Sequence, residues 1–207
     1  MNLFKRKAPI GESSVGVYLI VGLGNPGSRY SATRHNVGFQ VINNVARVLG
    51  ITPGKVKSKA IIGEGKRDDK KVILVKPQTF MNLSGQAVSA LARFYKVPVE
   101  NIVVIHDDLD LPLGTLRIRP GGGAGGQKGV QSIIEQLGTP EFARIRFGIG
   151  RPPGRMDPKD YVLENFLPNE QELAEFTILT ARDAVISFID AGLEKTMNKY
   201  NGSVQPD

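Results

Sequence analysis

Few side chains in this chain can shuttle a proton near neutral pH. Among its 207 residues there are two histidines and no cysteine. His35 closes the stretch "GLGNPGSRYSATRH" (22–35), which follows the apolar run "VYLIV" (17–21). His106 lies in "VVIHDDLDLP" (103–112), where Asp107 and Asp108 stand just past a second apolar run. A carboxylate on one imidazole nitrogen fixes the tautomer and raises the basicity of the other. If the two runs are parallel strands, Asp107 and His35 converge at one rim of a sheet. His35 would then be a general base that activates water. That route suits a reactive carbonyl such as an ester better than an amide.

Other chemistries are poorly supported. Gly22, Gly24 and Gly27 formally satisfy the dinucleotide pattern G-x-G-x-x-G. That pattern needs a helix opening inside it and an acid about 20 residues later. Here Pro26 interrupts it, and the next acid is Glu64. A tight turn displaying Asn25 at the rim is the better reading. "HDDLD" holds ligand atoms for Mg²⁺ or Zn²⁺, but alternate residues of an extended segment face opposite ways. No metal site is expected. The glycine-rich stretch "RIRPGGGAGGQKG" (117–129) lacks the Ser or Thr that a phosphate-binding loop carries after its lysine. It is compatible with a mobile lid over an anionic ligand and equally with a plain flexible loop. No G-x-S-x-G elbow exists for a serine hydrolase, and Ser84 in "FMNLSG" reads as a helix cap. Asn82 beside it can hold a peptide or orient a water, or simply cap the same helix.

The elements that must carry these residues alternate between strand and helix. "VYLIV" reads as a buried strand. Val37, Val41, Val45 and Val48/Leu49 recur at helical spacing over 36–49. "SKAIIGEG" and "KVILVKP" read as strands joined by the turn "KRDD". Residues 84–97 form a helix with Ala87, Leu91 and Phe94/Tyr95 on one face. "NIVVIHDD", "TLRIR" and "RIRFGIG" are strands, and "VQSIIEQL" a short helix. A last helix starts near Asn169, an N-cap with Glu172 three residues on, and continues weakly past Gly192. With no linker or repeat, this pattern gives one α/β domain over 17–200, a mixed, largely parallel sheet flanked by helices. Flexible tails are expected over 1–16 and 201–207. The first has no apolar core of a secretory signal.

Composition sets outer limits. Hydrophobic residues are 41% and charged residues 23%, ordinary for a globular domain. Without cysteine there is no disulfide, thiolate metal site or Cys nucleophile, which fits a reducing compartment such as the cytoplasm. No apolar run approaches the ~20 residues that cross a bilayer. The net charge is +7, and 13–63 contains no acid while holding Arg29, Arg34, Arg47, Lys55, Lys57 and Lys59. Such a stretch favours an anionic partner, nucleic acid first, or is a basic solvated face with no partner.

Five motifs in order, "VGLGNPGSRYSATRHNVGF", "KPQTFMNLSG", "HDDLDLPLG", "GGGAGG" and "RIRFGIGRP", resemble the bacterial-type peptidyl-tRNA hydrolase family. The likeness covers roughly Tyr18 to Asn198. It implies a single α/β domain with a twisted mixed sheet. It implies an enzyme that cleaves the ester between a peptide and the 3′ end of tRNA, recycling peptidyl-tRNA released prematurely from ribosomes. It implies no cofactor or metal, a monomer, and tRNA rather than DNA or a membrane as partner. By the resemblance, His35 is the catalytic base and Asp107 its supporting carboxylate. Asn25 discriminates blocked from free aminoacyl-tRNA, and Asn82 holds substrate and water. Tyr30 and Phe80 line the tRNA–peptide site, and Arg119 and Arg146 grip the tRNA 5′-phosphate. One departure stands out: the family's His-Asn-Gly after the glycine-rich loop is Gln127-Lys128-Gly129 here. Lys128 can meet a phosphate but cannot accept a hydrogen bond. The alternative reading is an RNA-binding protein of the same fold with reduced or no turnover.

Overall fold

The computed structural model describes residues 16–204. Apart from Gly16, the expected N-terminal tail lies outside them. Eight strands form one sheet: β1 (Val17–Gly22), β2 (Lys55–Lys57), β3 (Ala60–Arg67), β4 (Lys70–Pro77), β5 (Ile102–Asp108), β6 (Thr115–Arg119), β7 (Ala143–Gly148) and β8 (Gly202–Ser203). Their order is β2-β3-β4-β1-β5-β7-β6-β8. The centre, β4-β1-β5-β7, is parallel, and both edges are antiparallel. Central strands buried on both faces must be nearly continuous apolar runs, as "VYLIV" and "IVVI" are.

Helices cover both faces. On one side α1 (Val37–Leu49) and α5 (Pro168–Ala191) pack Val41, Val45, Ala181 and Val185 against Ile20, Val103 and Ile105. On the other, α2 (Ser84–Phe94) and α3 (Lys128–Leu137) pack Val88, Leu91, Val130 and Ile133 against Leu19, Val21 and Val104. Two short helices, α4 (Pro158–Tyr161) and α6 (Leu193–Tyr200), complete the chain.

Several local expectations shift. Ser84 is not a cap: it lies inside α2, and its Oγ donates to the Met81 carbonyl at 2.8 Å. Phe94 leaves the buried face, 60% exposed, with its ring against Tyr95 and under the Lys57 ammonium. Helix α5 begins earlier than the Asn169 cap implied. Pro168, pre-set for the first helical position, follows Leu167, whose N–H donates to Glu170 at 2.7 Å. The sheet also extends past residue 200: Gly202 and Ser203 pair with β6, and Val204 N–H donates to Gly114. Residues 205–207 lie outside the described part.

Candidate active site

The site stands at the carboxyl rim of the parallel strands, where ligands of open α/β sheets bind. Gly22, at the end of β1, and Gly38, in α1, let the helix come unusually close. A Cβ on Gly22 would lie 2.1 Å from the Gly38 carbonyl oxygen. A Cβ on Gly38 would lie 2.4 Å from the Leu23 backbone and 2.6 Å from Ile105 O. Backbone therefore packs on backbone where α1 crosses β1 and β5. The turn before α1, Arg34–Asn36, is thereby placed over the end of β5. These glycines serve helix packing rather than a pyrophosphate.

Contacts from all three of its residues fix that turn. Asn36 exchanges two hydrogen bonds with the backbone of Asn25, at 2.8 and 2.9 Å. His35 N–H donates to Val162 O at 2.8 Å. Arg34, a surface cation by its sequence context, is 1% exposed. Its guanidinium pairs with Glu170 and the Asn165 carbonyl and lies over the rings of Tyr161 and Phe166, at 4.3 and 5.1 Å. The base of the 158–166 segment is thus tied to the residue beside His35.

His35 Nδ1 lies 2.7 Å from Asp107 Oδ2. An ionised carboxylate only accepts, so Nδ1 carries the proton and Nε2 keeps its lone pair. Burial pulls the imidazole pKa down, but the Asp107 charge and hydrogen bond outweigh it and hold His35 above its usual 6.5. For Asp107, burial pushes the carboxyl up. The His35 charge, hydrogen bonds from His35 and Gln127, and His106 outweigh that and hold it below the usual value. The second histidine does other work. His106 is buried, its Nδ1 bonds the Asp107 carbonyl at 2.7 Å, and burial holds its pKa low.

The dyad opens into a cavity of about 520 Å³ that Asn25, Met81, Gln127, Lys128 and Leu163 help to line. Asn25 therefore joins His35 as expected. Asn82 does not line this space. It faces a smaller neighbouring cavity of about 380 Å³ with Gln131, Ser132 and Glu135. Gly126 and Lys128 border both. Tyr30 and Phe80 line neither; the Tyr30 hydroxyl accepts from Arg29, and Phe80 is 77% exposed. Phe80 still leads directly into the turn Met81–Leu83, whose first two residues face one cavity each.

Arg119 and Arg146 lie on one face of adjacent strands. The cross-strand pairs are Arg117 with Arg146 and Arg119 with Arg144, opposite the buried face of Leu116, Ile118, Ile145 and Phe147. The four arginines differ in employment. Arg144 is buried and donates to the carbonyls of Gly122, Gly123 and Pro140, pinning the glycine-rich loop. Arg146 pairs with Asp108 at 2.5 Å. Arg117 and Arg119 have no ion pair among the described residues.

Gln127, seen in the sequence only as a departure from the family's motif, touches the dyad. Its Nε2 donates to Asp107 Oδ1 at 3.0 Å and meets Met81 Sδ at 3.6 Å. Its Oε1 accepts from Gly129 and Val130 N–H, capping α3. Glutamine is an uncommon N-cap, so residue type gave no signal. Among the described residues, no three acidic or histidine side chains gather to hold a metal.

The model of the family described as peptidyl-tRNA hydrolase matches residues 19–207. A peptidyl-tRNA hydrolase of Thermoanaerobacter sp. (strain X514) is 49% identical over 90% of this chain and 100% of that protein. One from Chloroflexus aggregans is 50% identical over 89% and 99%. The crystal structure of the Acinetobacter baumannii peptidyl-tRNA hydrolase superposes with a TM-score of 0.86 at 37% identity, covering 94% of this chain and 99% of that one.

Proposed function

The chain belongs to the peptidyl-tRNA hydrolase family and hydrolyses peptidyl-tRNA, and from that premise we propose how its cleft does so. His35 Nε2 takes a proton from water as the oxygen attacks the ester carbonyl. The negative charge on the tetrahedral oxygen is met by the Asn25 amide or backbone N–H groups at the rim. The imidazolium then returns the proton to the departing ribose 3′-oxygen. The products are tRNA with a free 3′-hydroxyl and the peptide acid, which loses its proton to solvent and leaves as the carboxylate. Asp107 holds the tautomer that keeps Nε2 unprotonated and stabilises the imidazolium. The hydrogen bond between His35 and Asp107, at the wall of the larger cavity, carries this reading.

The larger cavity takes the peptide and ester. Lys128 and Asn82, on the border and in the smaller cavity, take the 3′ end of the tRNA, with the Lys128 ammonium on a phosphate. Tyr30 and the exposed Phe80 flank the approach. Arg119 and Arg146 grip the 5′-phosphate, with Arg117 beside them. Membership of this family supports peptidyl-tRNA as the substrate, and with it we propose a monomer acting on tRNA, not DNA or a membrane, in the cytoplasm. No helix among the described residues is long and apolar enough to cross a membrane.

The test is release of the blocked amino acid from N-acetyl-aminoacyl-tRNA over time. The wild type turns over, and His35→Ala retains binding but loses activity. A His35→Ala variant as fast as wild type would remove the mechanism. Binding without turnover by the wild type would restore the alternative of an RNA-binding protein.

A further inference from the structure

The Gln127 amide bridges two structures by hydrogen bonds at both of its ends. One is the Asp107 carboxylate, which uses Oδ2 on His35 and Oδ1 on Gln127. The other is the start of α3, where the glycine-rich loop 121–126 ends and two backbone N–H groups converge on Oε1. Both ends of the amide are spent, and the side chain is buried. We infer that Gln127 is a positioning residue: it fixes the Asp107 carboxylate for His35 and ties that carboxylate to the end of the glycine-rich loop.

The chemistry of an amide suits this place. A primary amide offers donor and acceptor on one planar group, so Oε1 can cap α3 while Nε2 donates to Asp107. It carries no titratable proton near neutral pH, so the carboxylate keeps its second donor at every working pH. A carboxylate with both oxygens bound cannot rotate, and the His35 ring cannot swing with it. The same bonds join loop and base. When Lys128, the first residue of α3, meets its ligand, a displacement of the loop end is felt at Asp107 through one side chain. This rests on the mechanism proposed above, in which Asp107 supports His35.

Two substitutions separate the halves of the role. Gln127→Glu keeps the acceptor that caps α3 but turns a carboxylate oxygen toward Asp107. Gln127→Leu removes cap and donor together. The titratable and charged groups around the dyad stay as they are: His106 and Asp108 from β5, Lys128 from α3, Lys159 from α4, and the Asp110–Arg151 pair. For Gln127→Glu the expected outcome is a kcat lowered by about tenfold or more, part of the 10²–10⁴ a general base supplies. KM for N-acetyl-aminoacyl-tRNA stays near wild type, and the acid limb of the kcat/KM profile moves to higher pH. The His35 ring, followed by NMR as pH is varied, titrates higher in step. Gln127→Leu also lowers kcat in the folded protein, beyond any loss of stability from the missing cap.

If Gln127→Glu titrates and turns over like wild type, the residue is only a helix cap and the inference is overturned. It is overturned equally if Gln127→Leu lowers the melting temperature while kcat and the pH profile of the folded fraction are unchanged. The NMR titration needs no turnover, so it tests this role even if the wild type proved inactive and the proposed mechanism failed.

Discussion

His35 Nδ1 and Asp107 Oδ2, 72 positions apart in the chain, stand 2.7 Å apart across the carboxyl rim of the sheet. Asp107→Asn should be more damaging than the small change in shape suggests. Gln127 Nε2 donates toward this side chain, so the new amide will turn its oxygen to Gln127 and its NH₂ to His35. The imidazole must then accept at Nδ1 and carry its proton on Nε2, the wrong tautomer for a base. Turnover of N-acetyl-aminoacyl-tRNA should fall by about 10²–10⁴ with the fold intact. Activity within twofold of wild type would mean that Asp107 does not set the tautomer.

The pH profile follows from the same pair. His35 must be neutral to act, and Asp107 holds its pKa above 6.5 against the opposing effect of burial. The kcat/KM of the wild type should therefore rise through an ionisation above 6.5 and level off at higher pH. Stability runs the other way. A histidine with a raised folded pKa favours the folded state below its unfolded pKa, and the benefit disappears as pH rises through the folded value. An acid limb centred below 6.5 would show that burial, not Asp107, governs the ring.

Arg34 gives a prediction about stability that its sequence context hides. It is an almost fully buried cation whose partner Glu170 keeps a 23% exposed side chain. Arg34→Met leaves Glu170 without its cation and the Asn165 carbonyl without a donor. The loss should be about 2–4 kcal/mol, somewhat less than for a pair buried on both sides. Because Arg34 precedes His35, kcat of the folded fraction should drop too. Denaturant midpoints and single-turnover rates on one preparation measure both.

Gly38→Ala should be among the costliest methyl additions in the chain. The new Cβ would meet only backbone within 2.6 Å, from Leu23 and Ile105, and backbone cannot rotate aside. A destabilisation of about 3 kcal/mol, at the upper end for overpacking, is expected in a urea or guanidinium titration. A loss below about 1 kcal/mol would show that α1 can retreat from the sheet.

What is legible in the sequence is what local pattern encodes. Apolar runs of strand length ending in Asn, His and Asp place the rim and the dyad, because strands parallel in one sheet end at one rim. The parallel centre and the two helical layers follow from strand–helix alternation. Gln127 is not legible, because its role depends on a side chain reaching back from a loop to a strand 20 residues earlier. Arg34 reads as surface charge because its partner lies 136 residues away. Residues 202–203 read as a polar tail because two paired residues leave no periodicity. Asn82 sits next to Met81, yet the two face different cavities, a division that a short turn makes and a motif does not reveal.

The basic face offers the sharpest test of tRNA binding, because its two expected phosphate ligands are not equivalent. Arg119 has no ion pair among the described residues, whereas Arg146 neutralises Asp108, which lines the larger cavity. Arg119→Ala should weaken tRNA binding and reduce the slope of log K against log salt by about 0.9 for each duplex phosphate that is no longer neutralised. Arg146→Ala should cost more, since it also exposes an unpaired carboxylate at the cavity wall to an anionic ligand. Adding Asp108→Asn should then recover part of that loss, while the same change beside Arg119→Ala should recover little. Such coupling is what a double-mutant cycle isolates for residues that touch. An Arg146→Ala defect that Asp108→Asn leaves untouched would show that the arginine acts on the phosphate alone.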